Sequence, residues 1–187
     1  WGYATKEEME KFGRRYNPCG EMYTDADGNK HYYTDQTDNY LQKNYQLLLN
    51  HSFSTAWNLN VALHYTKGDG YYEEYKPGSS LVEYGLKPFN PDGTETNESD
   101  LVRQKKMDNK FGGGVFSLNY TGNRLTASLG GGLNQYRGNN FGKVTWVKNY
   151  IGNLSPEHEY YRNKSKKTDG NIYLKANYDL TSTLSAY

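Results

Sequence analysis

The sequence predicts an all-β fold, an antiparallel up-and-down meander that forms part of a transmembrane β-barrel. Two observations lead to this prediction. Charged residues are almost absent from segments 44–66, 111–136 and 170–187, and apolar side chains alternate with polar ones within them. Alternation with a period of two is typical of strands that have one apolar face. Strands without charge are expected where a chain crosses a layer of low dielectric constant.

The segregation of charge is the stronger observation. The three segments hold 67 residues and only three charges, Arg124, Lys175 and Asp179, whereas the other 120 residues hold 40 charges. A mean hydropathy of -1.02 does not argue against such strands, because every second residue of a barrel strand faces water or the lumen. No run approaches the roughly 20 apolar residues of a membrane-spanning helix.

Composition also bears on the class of protein. The chain of 187 residues has 20 tyrosines and 20 glycines, and disordered chains are depleted in aromatic residues. A formal net charge of +1 argues against a nucleic-acid partner recognised by bulk charge. Cys19 is the single cysteine, so we expect a free thiol without a catalytic role.

The strands follow in order from the alternation and from the turn residues. Tight turns are predicted at 54–56, at 121–124, where Gly-Asn is a good hairpin signal, and at 180–182. We place strands near 38–54, 57–67, 107–121, 124–136, 168–179 and 183–187, and long outer loops at 67–106 and 137–168. Short turns on one side and long loops on the other are typical of outer-membrane barrels.

The region before the first strand predicts only local structure. Thr5 and Glu8 form the pattern of a capping box, which indicates one or two turns of helix. Asp25–Asn29 resembles the start of a calcium loop, but the closing glutamate is missing, so we predict a β-turn.

Aromatic residues lie at both ends of the apolar strand faces, and we interpret them as membrane-interface residues. They are Tyr45, Phe53, Trp57, Tyr65, Tyr120 and Tyr178. The alternative is that strands favour aromatic residues in any setting.

Glycines 112–114 and 130–132 are predicted to meet across the turn at 121–124. Two hypotheses explain this patch: the wall bends there or another backbone approaches it, or the stretch is a weak and mobile part of the sheet.

The loops offer candidates for ligand binding but no catalytic constellation. We predict that Tyr71, Tyr72, Tyr75 and Trp146 contact a ligand, because aromatic side chains offer rigid contact area and a polar tip. Glu73 and Glu74 are adjacent, so they should point to opposite faces of a strand rather than act as an acid and base pair. We predict no enzyme, no metal site and no cofactor, because the histidines lack metal-ligand spacing. Basic Lys164–Lys167 either solvates the base of a loop or meets anionic lipopolysaccharide.

Three stretches, 14–21, 37–49 and 63–75, resemble barrel strands and outer loops of TonB-dependent outer-membrane receptors of the Bacteroidetes siderophore and vitamin type. This resemblance implies a 22-stranded barrel in the bacterial cell outer membrane, in contact with its lipid. It also implies energy-coupled uptake of a scarce, bulky extracellular ligand, such as an iron–siderophore or vitamin complex. The energy would come from an inner-membrane protein acting through a plug domain.

The chain departs from that family by omission, since plug, energy-coupling box and terminal aromatic strand are not in it. We therefore expect a segment of a longer receptor that does not transport by itself and whose open strand edges favour self-association. Two alternatives stay open. One is a soluble β-sandwich that binds carbohydrate and packs its two apolar faces on each other, and the other is a passive porin.

Overall fold

The computed structural model describes residues 3–151 and 153–187. A two-stranded antiparallel sheet is formed by β1 (Glu21–Thr24) and β2 (Lys30–Tyr32). A six-stranded sheet contains β3 (Asp38–Ser52), β4 (Trp57–Ser80), β5 (Glu98–Thr121), β6 (Leu125–Val147), β7 (Glu159–Asp179) and β8 (Ser185–Ala186). Its strand order is the order of the chain. The predicted all-β antiparallel meander is therefore confirmed, and within the described residues the sheet is open, with β3 and β8 at its edges.

Tight turns join the long strands at one end. The Phe53 N–H donates to the Trp57 carbonyl (3.0 Å), and the Gly122 N–H donates to the Leu125 carbonyl (2.8 Å). At the last turn the Leu180 N–H donates to the Leu184 carbonyl, and the Thr181 hydroxyl oxygen accepts from the Leu184 N–H. All three turns lie where the sequence predicts them.

The strands extend well beyond the charge-poor segments. The strand expected to end near 67 continues to Ser80, and its partner begins at Glu98 instead of 107. The strands on either side of the second connection are Leu125–Val147 and Glu159–Asp179, so that connection covers 148–158. The loop bounds 67–106 and 137–168 are corrected accordingly. The strands continue through these charged stretches because charged side chains pair across strands there, as Arg103 does with Glu74.

The remaining elements are local. Helix α1 (Lys6–Phe12) begins at Thr5 with both hydrogen bonds of a capping box, as predicted. The Asp25 N–H donates to the Asn29 carbonyl, and the Gly28 N–H donates to the Asp25 carbonyl, which confirms the predicted turn between β1 and β2. Within the described residues, no helix is long and apolar enough to cross a membrane.

The chain divides into two compact units. Unit 1 comprises the described residues of Trp1–Tyr40, Gly70–Met107 and Asn140–Asn163, and unit 2 comprises Leu41–Asp69, Asp108–Asn139 and Lys164–Tyr187. The long strands β3 to β7 each contribute residues to both units.

Unit 1 has a hydrophobic core on one face of its strands. The connections after β4 and β6 supply most of the cover, including a turn of 3-10 helix at Val82–Tyr84. The buried cluster consists of Leu81, Tyr84, Leu86, Leu101, Val144 and Val147, with Tyr150, Leu154 and Tyr160 packed against it.

Unit 2 has one continuous apolar face and one mixed, more polar face, on which Leu48, Phe111, Val115 and Tyr173 are also exposed. The apolar face carries the large exposed side chains Tyr45, Leu47, Leu49, Phe53, Trp57, Leu63, Tyr65, Phe116, Leu125, Leu129, Leu133, Ile172, Leu174, Tyr178 and Leu184. The other face carries amide and hydroxyl side chains that bond across the strands. Asn60, for example, accepts from Asn50 (2.5 Å) and donates to Ser117 (3.4 Å).

Candidate functional site

An aromatic cavity of about 330 Å³ in unit 1 is the best candidate for a ligand site. It contains two of the four predicted ligand contacts, Tyr75 and Trp146. Its lining consists of Met22, Tyr33, Tyr75, Val102, Thr145 and Trp146. Concave sites lined by aromatic side chains with a few polar groups are typical of small-molecule binding.

Tyr75 and Trp146 differ in exposure. Their rings stack with centroids 6.3 Å apart and planes 29° apart, and Tyr33 lies 6.1 Å from Tyr75 on another side. Tyr75 is 7% exposed, whereas Trp146 is 45% exposed. Tyr75 therefore forms the floor of the cavity, and the indole of Trp146 is the side chain with most surface to offer a ligand.

Polar partners hold the two tyrosines in place. The Tyr33 hydroxyl donates to Glu73 Oε1 (2.5 Å), and Gln104 Nε2 donates to Glu73 Oε2 (2.6 Å). The Tyr75 hydroxyl bonds to Asp100. Burial, together with the bond to its carboxylate, raises the pKa of each phenol, so both stay protonated hydrogen-bond donors at neutral pH.

Tyr71 and Tyr72 do not line this cavity. The Tyr71 ring lies 4.6 Å from Lys106 Nζ, and the Tyr72 ring lies 5.7 Å from Lys105 Nζ. Because Lys105 and Lys106 are neighbours on β5, the two tyrosines are on opposite faces of the sheet. The structure therefore does not bring the four predicted contacts together.

Glu73 and Glu74 also lie on opposite faces, as predicted. Glu74 Oε2 accepts from Arg103 Nε (2.8 Å), and the Arg103 guanidinium also donates to the Tyr84 hydroxyl (2.8 Å). Burial opposes the charge of Arg103, but Glu74 outweighs it and raises the arginine's pKa. Arg103 and Glu74 form a permanent, part-buried ion pair beside the core, which is a structural role.

The six predicted interface aromatics all belong to unit 2 and lie at two ends of its strands. At the end away from the turns, the rings of Tyr45 and Tyr65 lie 6.3 Å apart. Trp57 and Tyr120 are in contact beside the turns, with ring centroids 4.9 Å apart. Phe53 and Tyr178 are exposed near the turns.

The glycine patch is covered by neighbouring side chains. A Cβ on Gly130 would meet the Tyr173 ring at 2.5 Å, and one on Gly114 would meet Leu63 at 2.7 Å. A Cβ on Gly131 would lie 2.7 Å from the Asn171 carbonyl oxygen and 3.2 Å from Phe116. Large side chains that lie over strand glycines fill the space that a Cβ would take. Neighbouring side chains therefore fill the space over Gly114 and Gly130, whereas the backbone of the next strand lies close to Gly113 and Gly131.

Sequence reasoning missed Tyr33 and the pair formed by Glu73 and Gln104. Tyr33 is 42 residues before Tyr75 in the chain, and no periodicity links the two positions. Only the packing of the amino-terminal segment on β4 brings them together.

Within residues 3–151 and 153–187, no group of three or more His, Cys, Asp or Glu side chains could hold a metal ion. Comparison with known proteins finds no family model, no curated protein and no solved structure that matches the chain.

Proposed function

We propose that this chain is a wall segment of a TonB-dependent receptor, a 22-stranded β-barrel in the bacterial outer membrane that takes up a scarce, bulky nutrient. In this proposal the apolar face of unit 2 contacts lipid, its polar face lines the interior, and unit 1 meets the ligand. The parent receptor would draw energy from the inner membrane through a plug domain.

One observation carries the proposal: consecutive antiparallel strands expose a continuous apolar face in unit 2 and bond their polar side chains on the other face. Exposed apolar patches of this extent mark association surfaces. Barrel strands alternate apolar-out and polar-in. A soluble β-sandwich would bury such a face against a second sheet, and the exposure of these side chains counts against that alternative.

The membrane part of the proposal is tested with a matched pair of tryptophans. Leu129 and Val115 are both exposed, and they lie on opposite faces of unit 2. In a chain with Trp1, Trp57 and Trp146 changed to Phe, we introduce Leu129→Trp or Val115→Trp and insert each variant into phosphatidylcholine vesicles. Lipids with brominated acyl chains should quench the fluorescence of the Leu129→Trp variant alone. Equal quenching of both variants would contradict the proposal.

The ligand part is tested at the aromatic cavity with two probes, a ferric catecholate siderophore and cobalamin. Calorimetry on the chain in detergent should show that Trp146→Leu weakens the binding of one probe by at least tenfold, since aromatic contacts of this kind carry about 2 kcal/mol. Tyr72→Leu, on the opposite face, is the control and should leave the affinity within about twofold. If neither probe binds, or if both variants bind equally well, the cavity is not the ligand site.

A further inference from the structure

Cationic side chains lie beside one end of the apolar face of unit 2, and each long strand contributes at least one. Strand alternation places them on the same side of the sheet as the apolar residues, just beyond Tyr45 and Tyr65. We call this set the cationic row: Lys43, Lys67, Lys110, Arg137, Lys164 and Lys166.

Contacts along the strands support this placement. A Cβ on Gly112, two residues after Lys110, would meet the Tyr65 ring at 3.2 Å. Arg137 Nε donates to Gln135 Oε1 (2.7 Å), and Gln135 Nε2 donates to Thr168 Oγ1 (3.3 Å), two residues after Lys166. The cationic row therefore follows the border of the apolar face across neighbouring strands.

Four members of the row surround a cavity of about 450 Å³. The lining consists of Asp108, Lys110, Arg137, Gly138, Asn139, Lys164, Ser165 and Lys166. An adjoining depression lies between Lys110, Arg137 and the aromatic Tyr65. The structure thus joins a cationic cavity directly to the end of the apolar face.

The charge at this cavity is only partly balanced. Among the described residues, no ion pair joins Lys110, Lys164 or Lys166 to a carboxylate. Asp108 is the one acidic residue in the lining, and its Oδ1 has no hydrogen-bond partner there. Lys67, farther along the row, pairs with Asp69 at 3.6 Å. An anionic group would therefore meet an excess of positive charge.

The two ends of the apolar face differ. At the turn end, the charges within the charge-poor segments are Arg124 and Asp179 near the turns and Lys175 farther from the turn on β7. The opposite end carries the whole cationic row. At this end of the strands the six residues of the cationic row lie on the apolar side of the sheet and Lys167 lies on the other side, as expected if most of the basic residues contact one membrane leaflet.

We infer that the cationic row binds the phosphate groups of anionic lipid headgroups in one leaflet of the surrounding membrane. The inference rests on the proposed function, because the apolar face must lie among acyl chains for the row to reach the headgroups. Each basic residue close to a membrane surface raises the affinity for anionic lipid by about fivefold. Four of them at one cavity would favour anionic over neutral lipid on the order of a hundredfold, after allowance for Asp108 and for screening.

The test measures partitioning of the chain into vesicles of phosphatidylcholine alone and of phosphatidylcholine with about 20 mol% diphosphorylated lipid A. Anionic lipid should raise partitioning of the unaltered chain on the order of a hundredfold. The variant K110Q/R137Q/K164Q/K166Q should lose most of this gain. The control K6Q/K11Q/R14Q/R15Q removes the same number of charges from unit 1 and should keep it.

A second variant should strengthen, not weaken, the binding to vesicles that contain lipid A. Asp108→Asn removes the only carboxylate of the cavity and should increase the gain from lipid A about fivefold. A misfolded variant would not show stronger, lipid-specific binding. Inorganic phosphate at millimolar concentration should compete only weakly, because a soluble ion gains nothing from the adjoining apolar face.

The outcomes separate the two proposals. Failure of every variant to enter neutral vesicles would contradict the proposed membrane function. If all variants insert but the fourfold variant gains as much from lipid A as the unaltered chain does, the inference about headgroups is wrong. Full displacement by inorganic phosphate would also overturn it and would indicate a site for a soluble anion.

Discussion

Units 1 and 2 are built from the same long strands, yet apolar side chains are buried in unit 1 and exposed in unit 2. In unit 1 the connections 81–97 and 148–158 supply side chains that cover one face, and among the described residues the buried large apolar side chains all belong to this unit. In unit 2 the corresponding strands end in tight turns that supply no cover, and their apolar side chains stay exposed.

This difference teaches that alternation alone does not indicate where an apolar face is buried. A strand face becomes a core only where another part of the chain is long enough to fold over it. Where the connections have three to five residues, the chain itself supplies no cover for the face, and large exposed patches of this kind mark association surfaces. The two units therefore predict different responses to the same kind of substitution.

The largest effect is expected from truncating a side chain in the core of unit 1. Leu101 is 0% exposed, so Leu101→Ala should lower the free energy of unfolding by about 2–5 kcal/mol through the cavity that it leaves. Leu174, 75% exposed in unit 2, is the matched control, and Leu174→Ala should cost much less. Urea unfolding in detergent measures both. Equal losses would show that the two faces are buried alike.

A charge on the apolar face of unit 2 should have the next largest effect. Leu129→Arg should weaken insertion into phosphatidylcholine vesicles by about 2–4 kcal/mol, the cost of an arginine in contact with lipid near the bilayer midplane. Val115→Arg places the same charge on the polar face and should be tolerated. Vesicle flotation separates inserted from free chain. If Val115→Arg weakened insertion more than Leu129→Arg did, the face that carries Val115 would be the one in contact with lipid.

Adding a side chain at a glycine of the patch 112–114 and 130–132 should have a smaller effect on stability. A Cβ on Gly131 would lie 2.7 Å from the Asn171 carbonyl oxygen, so Gly131→Val should cost about 1–3 kcal/mol and slow assembly. Gly113→Val meets the backbone of Leu133 and should behave in the same way. Ala127→Val, on the same strand as Gly131, is the control. Heat-modifiable migration on gels reports assembly, and normal assembly of the double glycine variant would rule out tight packing at the patch.

The smallest effect is expected at the turn between β1 and β2 in unit 1. Hydrogen bonds from His31 and then from the Asn29 N–H lower the pKa of Asp25 to about 2, from an ordinary value of 3.8. A lowered pKa in the folded chain means that the stabilisation is complete above the ordinary value and is lost as the pH falls towards 2. We expect the hairpin to loosen over that range, as followed by the backbone amide NMR signals of Asn29 and His31, which bond to Asp25. Asp25→Asn should abolish the transition and Asp27→Asn should keep it.

Much of the fold could be predicted from the sequence, because strand periodicity and turn chemistry are local. The alternation after Trp57, the Gly-Asn turn before Leu125 and the capping box at Thr5 all correspond to observed elements. The far ends of the strands could not be predicted in this way. Past Thr66 the charges return, yet the strand continues to Ser80, where charged side chains find partners on the neighbouring strand, as Glu74 does with Arg103.

The candidate site was less accessible to prediction. Tyr75 and Trp146 were recognised as aromatic residues of the loops, but their contact depends on the register of three strands. Tyr71 and Tyr72 are neighbouring tyrosines, and composition offered no reason to separate them. They lie on opposite faces of the sheet because consecutive side chains of a strand point in opposite directions.

The sequence by itself determined the strand class, the tight turns and the charge-poor apolar face of unit 2, since these depend on neighbours along the chain. Only the tertiary structure decided which connections cover the sheet, which glycines lie under a neighbouring ring and which aromatic residues share a cavity. It also showed that basic residues from five strands form one row. Those features depend on strand register and on long-range packing, and a register shift of one residue would move each side chain to the opposite face.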